Sequence, residues 1–163
     1  MSGIWPGDTQ CTVFLTFDID GVTSWVRRNA ALWNRPSALS LAEYGPAVAT
    51  PRILDLLDKH GVPATFFIPG QVAQTHPDMV RDIAERGHEV GAHGWLHEPP
   101  PGLTLEEETD ILDRSVSVLT DLAGEAPKGF RAPSADLGAH TLDLLKERGF
   151  TYDTSLMGHD MPY

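Results

Sequence analysis

Two carboxylates and two imidazoles in this sequence have the types and spacing of a metal-assisted hydrolytic site: Asp18 and Asp20, and His93 and His97. Two histidines with one carboxylate form a ligand set that leaves a coordination position open for water. Asp20 could complete such a set, and Asp18, two residues earlier, could then act as a base on that water. The i, i+4 spacing of the histidines predicts that both imidazoles share one face of a single helical turn. Gly91, Gly94 and the run Pro99-Pro100-Pro101 leave no room for a longer helix there. Each feature also has a plainer reading. A His-x-x-x-His pair is often incidental, Asp-x-Asp after a strand is often turn chemistry, and Arg131 could be one half of a surface ion pair. The plainer readings do not account for where these residues fall together.

The elements that must position them recur with one rhythm. Residues 12–17 are β-branched and aromatic and predict a buried strand that ends at Asp18. Residues 21–49 read as irregular, with a short helix where Ser40 and Glu43 stand in capping-box spacing. Thr50-Pro51 opens a helix as N-cap and first helical residue, and Gly61 closes it. A second strand spans 62–68, a helix 77–86 ends before Gly87, and a third strand spans 88–92. Thr104 and Glu107 form a second capping-box signature. The helix after them carries Ile111, Leu112, Ser115, Val116, Leu119 and Leu122 on one face. A fourth strand at 129–131, a helix at 141–148 and a fifth strand at 150–153 complete the pattern. Strand, helix, glycine, strand is the order of a parallel α/β protein, either a doubly wound sheet or a (β/α) barrel. In both, chemistry collects where strands end. Asp18 and Asp20 follow the first strand, His93 and His97 the third; Arg131 closes the fourth and Asp153 the fifth.

Composition narrows the classes. A length of 163 residues with 41% apolar and 21% charged residues is that of one globular domain. No apolar run approaches the ~20 residues of a membrane span, and the N-terminus has no secretory pattern. Cys11 is the single cysteine, so an intrachain disulfide and a cysteine zinc site are both excluded. The reading that fits is a cytoplasmic protein. A net charge of −11 argues against nucleic acid and anionic lipid as partners. His60 sits at a helix C-terminus, where a partial positive charge suits the dipole. His76, His88 and His140 are expected to face solvent, and Phe66 and Phe67 to lie in the core. Trp95, between the two histidines, reads equally as a pocket wall or as core packing. His159 and Asp160 stand at the end of the chain without context.

Taken together these segments resemble the NodB-type polysaccharide deacetylases, carbohydrate esterase family 4. The stretch Leu15-Thr16-Phe17-Asp18-Ile19-Asp20-Gly21 resembles the first family motif, and Ala64-Thr65-Phe66-Phe67-Ile68-Pro69-Gly70 the second strand. Residues 87–98, which contain His93-Gly94-Trp95-Leu96-His97, resemble the histidine motif. Arg131-Ala132-Pro133 resembles the Arg-x-Pro motif, and Tyr152-Asp153-Thr154-Ser155-Leu156 the Asp-x-Ser motif. The resemblance implies one domain over residues 1–163 with a distorted (β/α) barrel. It implies a divalent metal, usually zinc, on Asp20, His93 and His97. Asp18 would be the base, Arg131 would hold it ionised and oriented, and Trp95 and Pro133 would lie on the substrate side. The reaction implied is hydrolysis of a non-peptide carbon–nitrogen bond, most simply N-deacetylation of an amino sugar.

Three departures shape the expectation. Ile19 separates two aspartates that are usually adjacent, as in an intracellular branch that includes peptidoglycan-deacetylase-like, cyclic-imidase and allantoinase-like enzymes. The substrate is therefore an amino sugar or a small cyclic amide. Ser134 follows Pro133 where a small or aromatic residue is common. The family's general-acid histidine would fall beyond Tyr163, and about five strands are too few to close a barrel. The chain is accordingly expected to be an incomplete barrel: a non-catalytic remnant, one partner of a homo-oligomer, or a domain completed by a further C-terminal segment.

Overall fold

The structure is a computed structural model, and it describes residues 11–157. Five strands form one sheet in the order β1-β2-β3-β4-β5: β1 (Thr16–Asp18), β2 (Thr65–Ile68), β3 (Glu89–Ala92), β4 (Gly129–Phe130) and β5 (Tyr152–Asp153). Every neighbouring pair is parallel. The spatial order follows the chain order without reversal. A right-handed crossover between each consecutive pair then puts all the connecting helices on one face. That winding is the barrel type and removes the doubly wound alternative. β1 and β5 are not paired with each other, so the sheet is an unclosed five-stranded arc, as expected of an incomplete barrel.

The helices are α1 (Thr23–Arg28), α2 (Pro36–Ala42), α3 (Thr50–His60), α4 (Gly70–Thr75), α5 (Pro77–Glu85), α6 (Leu105–Ala123) and α7 (Thr141–Glu147). Their apolar residues meet one face of the sheet. Leu54 and Leu57, Val72, Val80 and Ile83, Leu112 and Leu119, and Leu144 and Leu145 pack against Phe66, Ile68, Val90, Ala92 and Phe130. Because strand side chains alternate, the opposite face carries Thr16, Asp18, Thr65, Phe67, Glu89, Gly91, Gly129 and Tyr152. That second face is polar: Glu89 Oε2 accepts from Thr65 Oγ1 at 2.7 Å and from the Tyr152 hydroxyl at 2.6 Å. The Tyr152 ring lies across Gly129, where a Cβ would meet it at 2.2 Å. Burial, with the bond to Glu89 in support, pushes the Tyr152 hydroxyl above its ordinary pKa.

Several local expectations change. The first strand is three residues long, and Val13 and Phe14 are exposed at 78% and 75% instead of buried. They precede a strand that, among the described residues, has a partner on one side only. Residues 21–49 hold two α-helices, a 3-10 helix at Ala30–Asn34 and a π-helical turn at Gly45–Ala49. Ser40 lies inside α2 and is not its cap; Arg35 is, with Pro36 in the first helical turn. Nor is Thr50 an N-cap: it is the first residue of α3, with Ala49 in the cap position. The chain is already helical at Tyr44 and runs through the π-turn, and Thr50 N–H and Oγ1 both bond the Gly45 carbonyl. A bond reaching back five residues just before Pro51, which has no N–H of its own, fits a local π-turn. His88 is buried at 8% exposure, against Phe66, instead of facing solvent. His76 is partly buried beside Glu43 at 3.0 Å. Among the described residues no helix is long and apolar enough to cross a membrane.

The longest helix, α6, shows how a sequence signal becomes structure. Thr104 Oγ1 accepts from Glu107 N, and Glu107 Oε2 accepts from Thr104 N, which closes the capping box. Its buried stripe includes Glu108, whose carboxylate accepts from Thr141 Oγ1 and ties α6 to α7. Thr104→Ala should therefore lower stability by about 1 kcal/mol, seen as a lower urea midpoint at unchanged m-value. An unchanged midpoint would mean that the cap does not stabilise the fold.

Candidate metal centre

The chemistry-bearing side chains gather at the C-terminal ends of the strands. Ile19 continues β1, with its N–H bonded to the Phe67 carbonyl at 3.0 Å, and its side chain is buried in the core. Alternation therefore puts Asp18 and Asp20 on the other side together. Asp20 is held at its backbone, where its carbonyl accepts from Thr23 N at 3.0 Å and Thr23 Oγ1 at 2.7 Å. The Thr23 side chain is fully buried and opens α1.

His93 follows β3 directly and is buried. Its Nδ1 lies 2.7 Å from the Arg131 carbonyl. A carbonyl only accepts, so Nδ1 carries a proton, and in the neutral ring Nε2 is the atom left to bind a metal. That Nε2 lies 3.4 Å from Asp20 Oδ1, and His97 Nε2 lies 3.5 Å from Asp20 Oδ2. The two imidazoles meet edge to face with centroids 5.1 Å apart. They do not share a helical turn, as their spacing predicts. Gly94 at φ 71° and His97 at φ 60° turn the chain away from a helix, and residues 93–98 form a tight loop.

Three sets of contacts hold that loop. Glu98 Oε2 accepts from Trp95 N at 3.1 Å and Leu96 N at 2.7 Å. The Gly94 carbonyl accepts from Gly70 N at 2.9 Å and from buried Ser115 Oγ at 2.9 Å, and the Trp95 carbonyl accepts from Gln71 N at 3.1 Å. The Trp95 ring is buried over Gly70, where a Cβ would lie 2.4 Å from it, and the Arg114 guanidinium stands 4.1 Å above its centroid. Pro133 is buried against Gly94. Trp95 and Pro133 thus both pack around the histidine loop. Glu98, Ser115 and Gly70 were not singled out from the sequence; the backbone groups they serve have no sequence signature.

Asp20, His93 and His97 each offer one ligand atom, and these atoms lie within 4.8 Å of one another. The set fits a cation on two counts. Asp20 Oδ1 is buried with no hydrogen-bond partner among the described residues, and a buried unpaired carboxylate oxygen is costly. Second, His93 Nε2 and His97 Nε2 both turn toward this carboxylate, at 3.4 and 3.5 Å, as the ligands of one ion do. Burial pushes the Asp20 carboxyl up, but His93, then His97 and Ser24, outweigh it and bring it below its ordinary pKa. Burial is also the largest influence on His97. It lowers the imidazole pKa against the opposing pull of Asp20.

Arg131 closes the group. Its Nη1 donates to Asp18 Oδ1 at 2.6 Å, its Nη2 to Thr16 Oγ1 at 2.9 Å and its Nε to Thr154 Oγ1 at 3.0 Å. The guanidinium lies 4.3 Å over the Phe67 ring. Asp153 turns elsewhere. Its carboxylate accepts from Ser155 N at 2.8 Å and Ser155 Oγ at 2.7 Å, and Ser155 Oγ accepts from Ala132 N at 2.8 Å. It braces the chain after Arg131 and does not reach the cluster. His159 and Asp160 lie outside the described residues. A cavity of about 510 Å³ opens beside Asp18 and Asp20 along the free edge of β1, walled by Trp25, Leu41 and Tyr44.

Comparison with known proteins agrees with this geometry. A family model for polysaccharide deacetylase matches residues 7–152. The chain is 40% identical over 147 residues to the peptidoglycan deacetylase of Helicobacter pylori, covering 90% of this chain and 50% of that protein. A crystal structure from Mycobacterium smegmatis superposes with a TM-score of 0.93 at 43% identity, over 98% of this chain and 56% of that one. The structure of Puue allantoinase superposes with a TM-score of 0.80 at 26% identity, over 98% and 58%. The chain spans about half the length of the curated relatives it matches.

A cation-binding experiment follows from the ligand set. Only the neutral imidazole binds metal. Because the His97 pKa is lowered from 6.5, protons compete with metal only below that value. Affinity should change little from pH 8 to about 6.5 through this group and fall at lower pH. His93→Ala or His97→Ala should weaken binding at least about tenfold, a ligand counting for no less than its supporting shell. Calorimetric titration with a divalent cation at several pH values measures both; full affinity in either variant would remove the assignment.

Proposed function

The chain belongs to the polysaccharide deacetylase family, and from that membership we propose that it is a metal-dependent hydrolase of non-peptide amide bonds whose reaction is N-deacetylation of an amino sugar. The observation that carries the reading is the convergence of His93 Nε2 and His97 Nε2 on the Asp20 carboxylate, whose Oδ1 is buried, beside a second carboxylate held by an arginine. Residues 1–163 are read as a single domain of the NodB type, acting in the cytoplasm. The single cysteine supports that location. The free edges of β1 and β5 are read as the places where a further segment or a second copy completes the sheet.

In this reading Asp20, His93 and His97 hold the cation, zinc by choice of ligands. When bound, that cation supplies Lewis acidity to an amide oxygen and acidifies water. The chain's own residues do the rest. Asp18 is exposed to the cavity, and Arg131 takes only its Oδ1, so Oδ2 is free to accept a proton from an attacking water. Arg131 keeps that carboxylate aimed, and its carbonyl keeps the His93 proton on Nδ1. The buried loop around Trp95 and Pro133 holds the two imidazoles at a fixed separation.

A second reading is ring-opening hydrolysis of a cyclic imide or ureide at the same site. The likeness to an allantoinase structure and the Asp18-Ile19-Asp20 spacing support it.

One assay separates the readings: acetate release from N-acetylglucosamine oligomers and peptidoglycan fragments, beside ring opening of a cyclic imide and of allantoin. We expect acetate release that a chelator abolishes and added zinc restores. Asp18→Asn should lower kcat by about 10²- to 10⁴-fold. Turnover of imide or allantoin alone would overturn the deacetylase reading. A cation bound without turnover of any substrate would identify a non-catalytic domain.

A further inference from the structure

Asp18 and Arg131 are both partly exposed, with side chains 37% and 20% accessible. An ion pair at such a place does not fix its own geometry, because two long-range partners in water sample many arrangements. Yet each nitrogen of the Arg131 guanidinium is engaged. Of its three nitrogens, Nη1 donates to Asp18, Nη2 to Thr16 Oγ1 at 2.9 Å and Nε to Thr154 Oγ1 at 3.0 Å. The three acceptors come from β1 and from the residue after β5, on either side of the arginine. The flat face is also taken, by Phe67 at 4.3 Å, and Phe67 lies across Gly91, where a Cβ would sit 2.6 Å from the ring.

We propose that Thr16 and Thr154 are positioning residues that act through Arg131 to aim the Asp18 carboxylate. The proposal rests on the reading of Asp18 as the base. A guanidinium is a rigid planar fork. Fixing Nε and Nη2 in the plane therefore fixes the direction of Nη1, and with it the oxygen that Nη1 holds. The two hydroxyls do this from opposite ends of the arc, so the aim of Asp18 depends on β1 and β5 standing at their present separation. The metal half is tied to the same residue by a different atom, since His93 Nδ1 bonds the Arg131 carbonyl. Loss of a threonine hydroxyl releases the side chain and leaves that backbone contact in place. The Thr154 backbone is independently anchored, with its N–H on the Phe130 carbonyl at 3.1 Å.

The test uses Thr16→Val and Thr154→Val, which keep volume and lose the acceptor, with Thr16→Ser and Thr154→Ser, which keep the acceptor. Each is measured for kcat, KM and bound zinc, and for the Arg131 Nε–H resonance in protein labelled with ¹⁵N-arginine, assigned by its loss in Arg131→Lys. We expect each valine variant to lose about 10- to 100-fold in kcat, with KM and zinc content unchanged, and each serine variant to recover most of it. The Nε–H proton should exchange slowly in the parent chain and in Thr154→Ser, and quickly in Thr154→Val. An unaltered kcat and resonance in the valine variants, or serine variants as weak as valine, would overturn the proposal. If the parent chain turns over no substrate, the functional reading fails by itself, and the resonance still decides whether Thr154 holds Arg131.

Discussion

Arg131 is the point on which the rest of the structure depends. Its backbone N–H bonds the Ala92 carbonyl, its own carbonyl bonds His93, and its guanidinium reaches Thr16, Asp18 and Thr154. One residue therefore connects β1, β3, β4 and the end of β5. The contacts form only if four strands arrive in one register, since a slip by one residue moves every side chain to the other face. The pairing of β3 with β4 through Ala92 and Phe130 alone, and of β4 with β5 through two residue pairs, is short for a strand ladder. The polar contacts of Arg131 add to the hydrogen bonds of these short strands.

The architecture explains why such a hub can exist. A sheet wound in one direction puts all its helices on one face and leaves the other face to side chains. On the helix face the packing is apolar and dense, with Phe66, Ile68, Ala73, Val80, Ile83 and Leu119 fully buried. On the opposite face the polar side chains form two hydrogen-bonded groups. One joins Thr65, Glu89 and Tyr152; the other joins Thr16, Arg131, Asp18 and Thr154. Gly91 makes room for the Phe67 ring under Arg131, and Gly129 for the Tyr152 ring. The carboxylates and imidazoles stand at the top, where the strands end and the backbone is free to turn.

Much of this was legible in the sequence because it rests on periodicity and local chemistry. The alternation of helices and strands, the capping box at Thr104 and Glu107, the glycine stop at Gly61 and the gathering of Asp20, His93 and His97 all have local signals. What escaped has non-local causes. The histidine pair converges through a loop instead of a helical turn, because Glu98 inside the loop binds its amides while Gly70 and Ser115, from two other segments, bind the Gly94 carbonyl. Capping-box spacing at Ser40 and Glu43 was overridden by a helix that begins earlier, at Pro36. The helices within 21–49 carry weak amphipathic signals and pack through a few residues such as Thr23 and Val26. Thr16 and Thr154 look like ordinary strand residues until the arginine between them is placed. His88, polar in the sequence, is buried by Phe66 on the neighbouring strand.

The account turns on one claim: that Asp20, His93 and His97 together enclose a single cation. Anomalous diffraction at the zinc edge, from crystals grown with zinc, tests it directly. The account predicts one strong peak about 2.0–2.2 Å from the Asp20 carboxylate and from Nε2 of both histidines. A peak on other side chains, or none at this position in crystals that contain zinc, would contradict it.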